Sequence, residues 1–306
     1  MEKIRQLLLE AKSIDSYQRI DPLHPVAWYA GLESSGNYSL FCITATKPQR
    51  LTSTQIIMAY VGKRHAGDYG ITFSLREKAY LNVFLHFCED MIEATRRVQD
   101  QDKVADIVCG RYIQWQKAFR KSNGELLGLE VIKGLIGELI FLRDRMIPKY
   151  GSEKALHGWT GIDYTDRDFT YDDTWYEVKT TVSGGTTVQI SSIEQLDVEI
   201  EGHLAVVRLD KTSKEDTGRI TLNNLVSLIR EELGSMVLQE ELKTRLLEFG
   251  YFSDEAYDDI CFSYHGLNLY FVPPDFPCIR KKMVPATVLD VEYKLSLSAI
   301  DGYKEE

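Results

Sequence analysis

Apolar and polar positions change period along this chain, and the changes divide it into regions. Residues 1–20 fit a helix, opening on the amphipathic run Met-Glu-Lys-Ile-Arg-Gln-Leu-Leu-Leu-Glu-Ala-Lys. From 25 to 75 the texture is that of strands. Trp28-Tyr29-Ala30-Gly31-Leu32 and Tyr38-Ser39-Leu40-Phe41-Cys42-Ile43 flank the turn Ser34-Ser35-Gly36-Asn37, and 55–61 and 70–74 suggest more strands. Apolar residues then return every three or four positions over 75–97 and 104–119, which predicts helices. The polar stretch Arg120-Lys121-Ser122-Asn123-Gly124 marks a boundary, separating a β-rich plus helical region, 1–120, from a second domain, 121–306.

The second domain opens with a long amphipathic helix, 125–146, expected to stop near Pro148. A loop over 151–166, a compact β segment over 167–190, a polar turn and a strand at 204–209 follow. Helical pattern returns at 221–249, and 260–271 and 287–297 read as strands with Arg280-Lys281-Lys282 between them. The mixture makes this a two-part α/β protein.

Composition narrows the class. The 306 residues are 44% apolar and 27% charged, which excludes a disordered, collagen-like or disulfide-scaffold chain and suits roughly two domains. With 36 basic against 46 acidic side chains the net charge is −10, which argues against coating nucleic acid through bulk charge but leaves room for a local binding cleft. No stretch approaches the ~18 apolar residues of a membrane span, and the richest, 135–142, is interrupted by Gly137 and Glu138. The start lacks the features of a secretory signal, and Cys42, Cys88, Cys109, Cys261 and Cys278 form no C-x-x-C pair. The expectation is a soluble cytoplasmic protein with reduced thiols and no membrane partner.

Chemistry concentrates between Arg167 and Thr181. On a strand, Trp175, Glu177, Lys179 and Thr181 share one face and Tyr176, Val178 and Thr180 the other. A two-residue turn at Asp172-Asp173 pairs Tyr171 with Thr174 and places Asp168 across from Glu177, ~5 Å apart at Cβ. Facing carboxylates repel unless a cation lies between them. Mg²⁺ prefers such oxygen ligands, one or two carboxylates plus water and phosphate oxygens, and Lys179 can then stabilise a phosphate or an attacking water. On helix 125–146, Glu138 falls in the arc of Leu127, Val131, Leu135, Phe141 and Leu142, the face to be buried, and needs a partner: the cation, Arg145 or a neighbouring strand. Gly134 and Gly137 would let that helix approach the β segment. An acid-x-Lys on a strand is by itself usually a solvated ion pair.

The order Gly134-Leu135-Ile136-Gly137-Glu138-Leu139, Trp159-Thr160-Gly161, Arg167-Asp168-Phe169, Glu177-Val178-Lys179-Thr180-Thr181, Ile190-Ser191-Ser192-Ile193-Glu194-Gln195-Leu196 resembles the PD-(D/E)XK nuclease superfamily. More narrowly it resembles a bacterial PD-(D/E)XK family found among restriction and phage-defence genes. The motifs span roughly 125–210. The resemblance implies a restriction-endonuclease-like mixed sheet flanked by helices and metal-dependent phosphodiester hydrolysis. It makes Asp168 and Glu177 metal ligands, Lys179 the motif lysine, Glu138 the helix acid, and Val178 a ligand through its backbone carbonyl. Arg167 stands where the motif often has proline. Trp159 and Arg167 could touch DNA, although a packed indole and a salt bridge account for them as well.

The function expected is a Mg²⁺-dependent endonuclease, with Mn²⁺ substituting, that cuts double-stranded DNA in a restriction or antiviral defence system. It would act as a homodimer with possible defence-system partner proteins, and 1–120 would recognise DNA or a partner. The alternative is a catalytically silent nuclease-fold subunit that binds DNA or protein. Gln189, Ser191, Ser192 and Gln195, after the lysine strand, and Arg143 and Arg145, with Lys149 at the helix end, are candidate DNA contacts. Capping of the next turn by Ser191 or Ser192 explains those serines equally well. The six histidines show no metal-ligand spacing, and no phosphate-binding G-x-x-x-x-G-K-[ST] loop is present.

Overall fold

Short polar residues after Leu9 end the first helix early. In a computed structural model describing residues 2–11, 13–122, 124–163, 165–197 and 199–305, α1 (Glu2–Leu9) gives way to β1 (Ser16–Arg19) through a turn with Asp15 at φ 58°. The helix expected over 1–20 is therefore a helix and a strand, because Ser13, Asp15 and Ser16 favour turns over helix interior. β2 (Trp28–Leu32), β3 (Tyr38–Thr44), β4 (Ile57–Lys63) and β5 (Tyr69–Leu75) complete an antiparallel sheet in the order β1-β2-β3-β5-β4. The helical pattern begins later than 75, since Leu75 still pairs with Ile57; α2 runs Leu81–Ala94 and α3 Val104–Ser122.

These elements form the first of two compact units, 1–126 with 247–252. α3 continues through the polar stretch expected to separate the regions, and Asn123 of that stretch lies outside the described residues. Its core stacks Phe73, Phe84, Phe87, Tyr112, Trp115 and Phe119, joined by Leu247 and Phe252. Inside it Asp90 takes two bonds from Arg111, at 2.6 and 2.8 Å, and one from Trp115 Nε1 at 2.7 Å. A buried pair held this way tolerates neither partner alone. Asp90→Ala should cost about 3–5 kcal/mol in denaturant unfolding, against a much smaller loss for a surface acid such as Glu93.

The second unit, 127–246 with 253–306, contains the motif residues. Gly128 leads into α4 (Leu129–Phe141), which continues through a π-helical turn, Leu142–Met146, into α5 (Ile147–Tyr150). The expected helix over 125–146 thus starts four residues later, because Gly128 takes extended backbone, φ −69° and ψ 158°; before it the Leu127 N–H donates to the Tyr257 hydroxyl at 3.0 Å. It also passes Pro148, since the π turn shifts the ladder where proline would otherwise strip a bond from it; the chain turns only at Gly151, φ 79°. The supposed loop after it holds α6 (Ser152–Gly158). Val131, expected on the buried face, is 44% exposed.

β6 (Phe169–Thr170), β7 (Trp175–Thr181), β9 (Gly202–Thr212) and β10 (Cys261–Val272) make a sheet in the order β10-β9-β7-β6. β7 and β9 are parallel while the outer pairs are antiparallel, so this is a mixed sheet. β8 (Thr187–Ile190) pairs with β11 (Tyr293–Ser296), and α7 (Leu222–Glu232) and α8 (Met236–Phe249) supply the 221–249 helical pattern. The unit is an α/β fold, its sheet flanked by helices. One face of β7 carries Trp175 into a core with Ile190, Leu204, Val206 and Tyr270. On the other, α4 closes on the strand at Gly137, where a Cβ would lie 2.4 Å from Thr180 Cγ2.

Gly134 meets nothing within 4 Å, so only one of the two helix glycines is needed for close approach. Gly137→Ala should then destabilise the unit by about 1–3 kcal/mol through overpacking. Gly134→Ala should be neutral or stabilising by up to about 1 kcal/mol through helix propensity. Urea unfolding of both variants checks the pair.

Candidate active site

The hairpin that carries the acids has the register its turn length dictates. Tyr171 N–H donates to Thr174 O at 2.9 Å around the Asp172-Asp173 turn, and the ladder continues Thr170↔Trp175 and Phe169↔Tyr176. The next rung sets Asp168 against Glu177. There the chain leaves the ladder, and where a strand would bond Val178, the Asp168 carboxylate does so instead: Val178 N–H donates to Asp168 Oδ2 at 2.7 Å. The Asp168 carbonyl accepts from the N–H groups of Thr160 and Gly161, each at 2.9 Å. A Cβ at Gly161 would stand 2.6 Å from Asp168 Oδ1 and 2.7 Å from its Cα. The Trp159-Thr160-Gly161 motif is therefore the clamp that fixes the aspartate.

Glu177 is 1% exposed, and Lys179, two residues along the same strand face, pairs with its Oε1 at 2.7 Å. Its other oxygen, Oε2, is buried with no hydrogen-bond partner. Burial, then the charge of Asp168, pushes Glu177 up to about 8 against the pull of Lys179. Burial likewise lifts Asp168 to about 6, opposed by the Val178 N–H and by Lys179. Carboxyls so perturbed in one place mark a site that favours added positive charge or held protons.

Glu138 joins from α4. Its Oε2 accepts the Trp159 indole N–H at 2.7 Å, not a bond from Arg145, and Trp159 is fully buried. Burial raises the Glu138 carboxyl well above its usual range, Asp168 adds to this, and Trp159 and Lys179 oppose it. The three acids and one lysine of the sequence reading thus feel one another in a single neighbourhood. Trp159 was legible only as a motif member; a partner 21 residues from Glu138 leaves no periodic signal.

The other candidates are held more locally. Gln195 Oε1 accepts the Ser191 N–H at 2.9 Å, and Ser192 precedes the turn Ile193–Gln195 without a side-chain cap, so neither serine hydroxyl caps it. Gln189 is exposed on β8, and Arg145 is exposed. Arg143 forks onto Glu232 at 2.7–2.9 Å, Lys149 donates to Tyr176 at 2.8 Å, and Arg280 pairs with Asp197 at 3.1 Å. The charges of Arg143 and Arg280 are thus largely answered within the protein, while Lys149 rests on a neutral hydroxyl. All five cysteines are free and buried, and among the described residues no helix is long and apolar enough to cross a membrane.

Among the described residues no three His, Cys, Asp or Glu side chains converge as a closed metal cage. The donor set instead fits a hard cation held by few protein ligands: Glu177 offers a buried oxygen lacking a partner, and Asp168, whose charge it feels, is fixed by the Val178 N–H. Val178 enters through its N–H. A family model described as “Putative PD-(D/E)XK family member” matches residues 7–298. No curated protein and no solved structure matches the chain.

Proposed function

Because the chain belongs to this PD-(D/E)XK family, we propose that it is a divalent-metal-dependent endodeoxyribonuclease of a bacterial restriction or anti-phage system. The observation that carries the reading is the buried Glu177 carboxylate, one oxygen on Lys179 and the other without a partner, close enough to Asp168 to feel its charge. A surface ion-pair cluster would not bury an acid and leave half of it unsatisfied, because the desolvation cost has no return.

Asp168 and Glu177 would hold Mg²⁺ or Mn²⁺. When bound, such a cation polarises a phosphoryl oxygen and lowers the pKa of a water ligand. The remaining work falls to the chain. Lys179, kept on the strand face by its pair with Glu177, places a compact positive charge where the phosphoryl group gains negative charge. The Val178 N–H and the Thr160-Gly161 clamp orient Asp168 before substrate arrives, and Trp159 orients Glu138. Cutting both strands of a duplex calls for two such sites, hence a homodimer. Region 1–120 is the part available to recognise DNA or a partner protein.

Supercoiled, unmodified plasmid incubated with Mg²⁺ or Mn²⁺ tests the reading. Nicked or linear product that disappears with EDTA is expected; intact plasmid under every metal, with no metal-dependent change in melting temperature, contradicts it.

A further inference from the structure

Arg167 stands one residue before Asp168, and its surroundings are unusual for an arginine. Its Nη2 donates to the Glu194 carbonyl at 2.8 Å, and its guanidinium lies 5.3 Å from the Trp175 ring centroid. No carboxylate among the described residues forms an ion pair with it, and Nη1 has no hydrogen-bond partner there either. Its Nε is buried and also unpartnered. Among the described residues the salt bridge that would make Arg167 a structural residue is absent, and the acid nearest in role, Glu177, is taken by Lys179 at 2.7 Å.

A guanidinium stacked on an indole and tied by one carbonyl is oriented but not neutralised. Nε is closed to an incoming ligand, and Nη1, which is not buried, is the donor left to meet an anion. The neighbours that define the site are acids on one side, while Arg167 adds a cation beside them. It sits on the chain directly joined to Asp168 and rests on Trp175, two residues before Glu177 on the same strand face. A fork of N–H donors suits a phosphate oxygen better than an ammonium does.

We propose that Arg167 is a phosphate-binding residue of this site, taking a non-bridging oxygen of the nucleic-acid backbone beside the bond to be cut. The inference rests on the nuclease reading above and adds a substrate contact to it. Arg167 carries binding more than chemistry, and through Glu194 it also joins the turn Ile193–Gln195 to the aspartate.

Cleavage kinetics of a 30-base-pair duplex in Mn²⁺ over a range of salt concentrations test this in the full chain. For Arg167→Gln, KM should rise roughly ten- to hundredfold with a smaller change in kcat, as for loss of a charged hydrogen bond. The slope of log(kcat/KM) against log[salt] should become shallower by about 0.9, the signature of one lost phosphate contact. Arg167→Lys should keep the wild-type slope with a raised KM, and Arg167→Met, expected to show the same shallower slope, carries the test if the glutamine variant does not fold. An unchanged slope in Arg167→Gln, whatever the loss of rate, overturns the proposal and leaves Arg167 a scaffold residue. A wild-type enzyme that cleaves nothing instead removes the nuclease reading, and this inference with it.

Discussion

Asp168→Asn should abolish cleavage while leaving the fold in place. An asparagine keeps a carbonyl oxygen able to accept the Val178 N–H now bonded at 2.7 Å, and its backbone carbonyl still takes the Thr160 and Gly161 N–H groups. What it loses is the charge that Glu177 and the helix acid were arranged against. The rate should fall by about 10²–10³-fold, the scale of removing a preorganised electrostatic element. Stabilisation by Mn²⁺ should vanish with it, because a ligand that binds only the native state raises stability only while its site exists. Plasmid cleavage and thermal melts with and without metal check both halves. A variant that melts like wild type, responds to Mn²⁺ and still cuts would show that Asp168 is merely a hairpin cap.

The second large effect is on stability against pH. Glu177, with an ordinary value of 4.5 in the unfolded chain, is pushed up to about 8 in the fold by burial and by Asp168, with Lys179 and Arg167 opposing. Its folded pKa is raised, so its contribution is fully present below the unfolded value and is lost as pH rises through the folded one. Between about pH 4.5 and 8 the native state holds a proton that the unfolded chain has released, and stability falls with rising pH. At 1.36 kcal/mol per unit, the loss over that window is on the order of several kcal/mol in metal-free protein. Glu177→Gln should remove this part of the slope and be the more stable protein above pH 8 in EDTA. Added Mn²⁺ should reverse the order, because cation and proton compete for the same oxygens and metal binding tightens as pH rises. Urea unfolding at pH 5.5, 7 and 8.5 decides it: parallel curves for wild type and Glu177→Gln would mean that Glu177 is not held protonated.

Some of this was legible from residue order and some was not. The Asp172-Asp173 turn has two residues, and that number fixes the parity of the hairpin, so Asp168 opposite Glu177 follows from counting. The close approach at Gly137 follows from a helix that must bury its apolar face. Gly134 looks equivalent in sequence and lies on the same side of the helix, yet a Cβ there would meet nothing within 4 Å, so close approach is confined to Gly137. Helix ends carry a weaker signal in the residue order. Pro148 normally ends a helix, but the π turn before it had already displaced the hydrogen bond it would break. The partners of Glu138 and Arg167 were hidden for a different reason. Trp159 and Glu194 lie 21 and 27 residues away, and side chain to indole or carbonyl bonds of that kind leave no period in a sequence.

The central claim is that Lys179 acts in the chemistry while the two acids bind metal, and one comparison tests it most directly. Wild type and Lys179→Met are assayed for Mn²⁺ binding by calorimetry and for single-turnover cleavage of plasmid DNA in the same buffer. Both should bind Mn²⁺ at one site per chain, while the variant's cleavage falls by about 10²–10³-fold. Equal cleavage by the two proteins, or no Mn²⁺ binding by wild type, would contradict it.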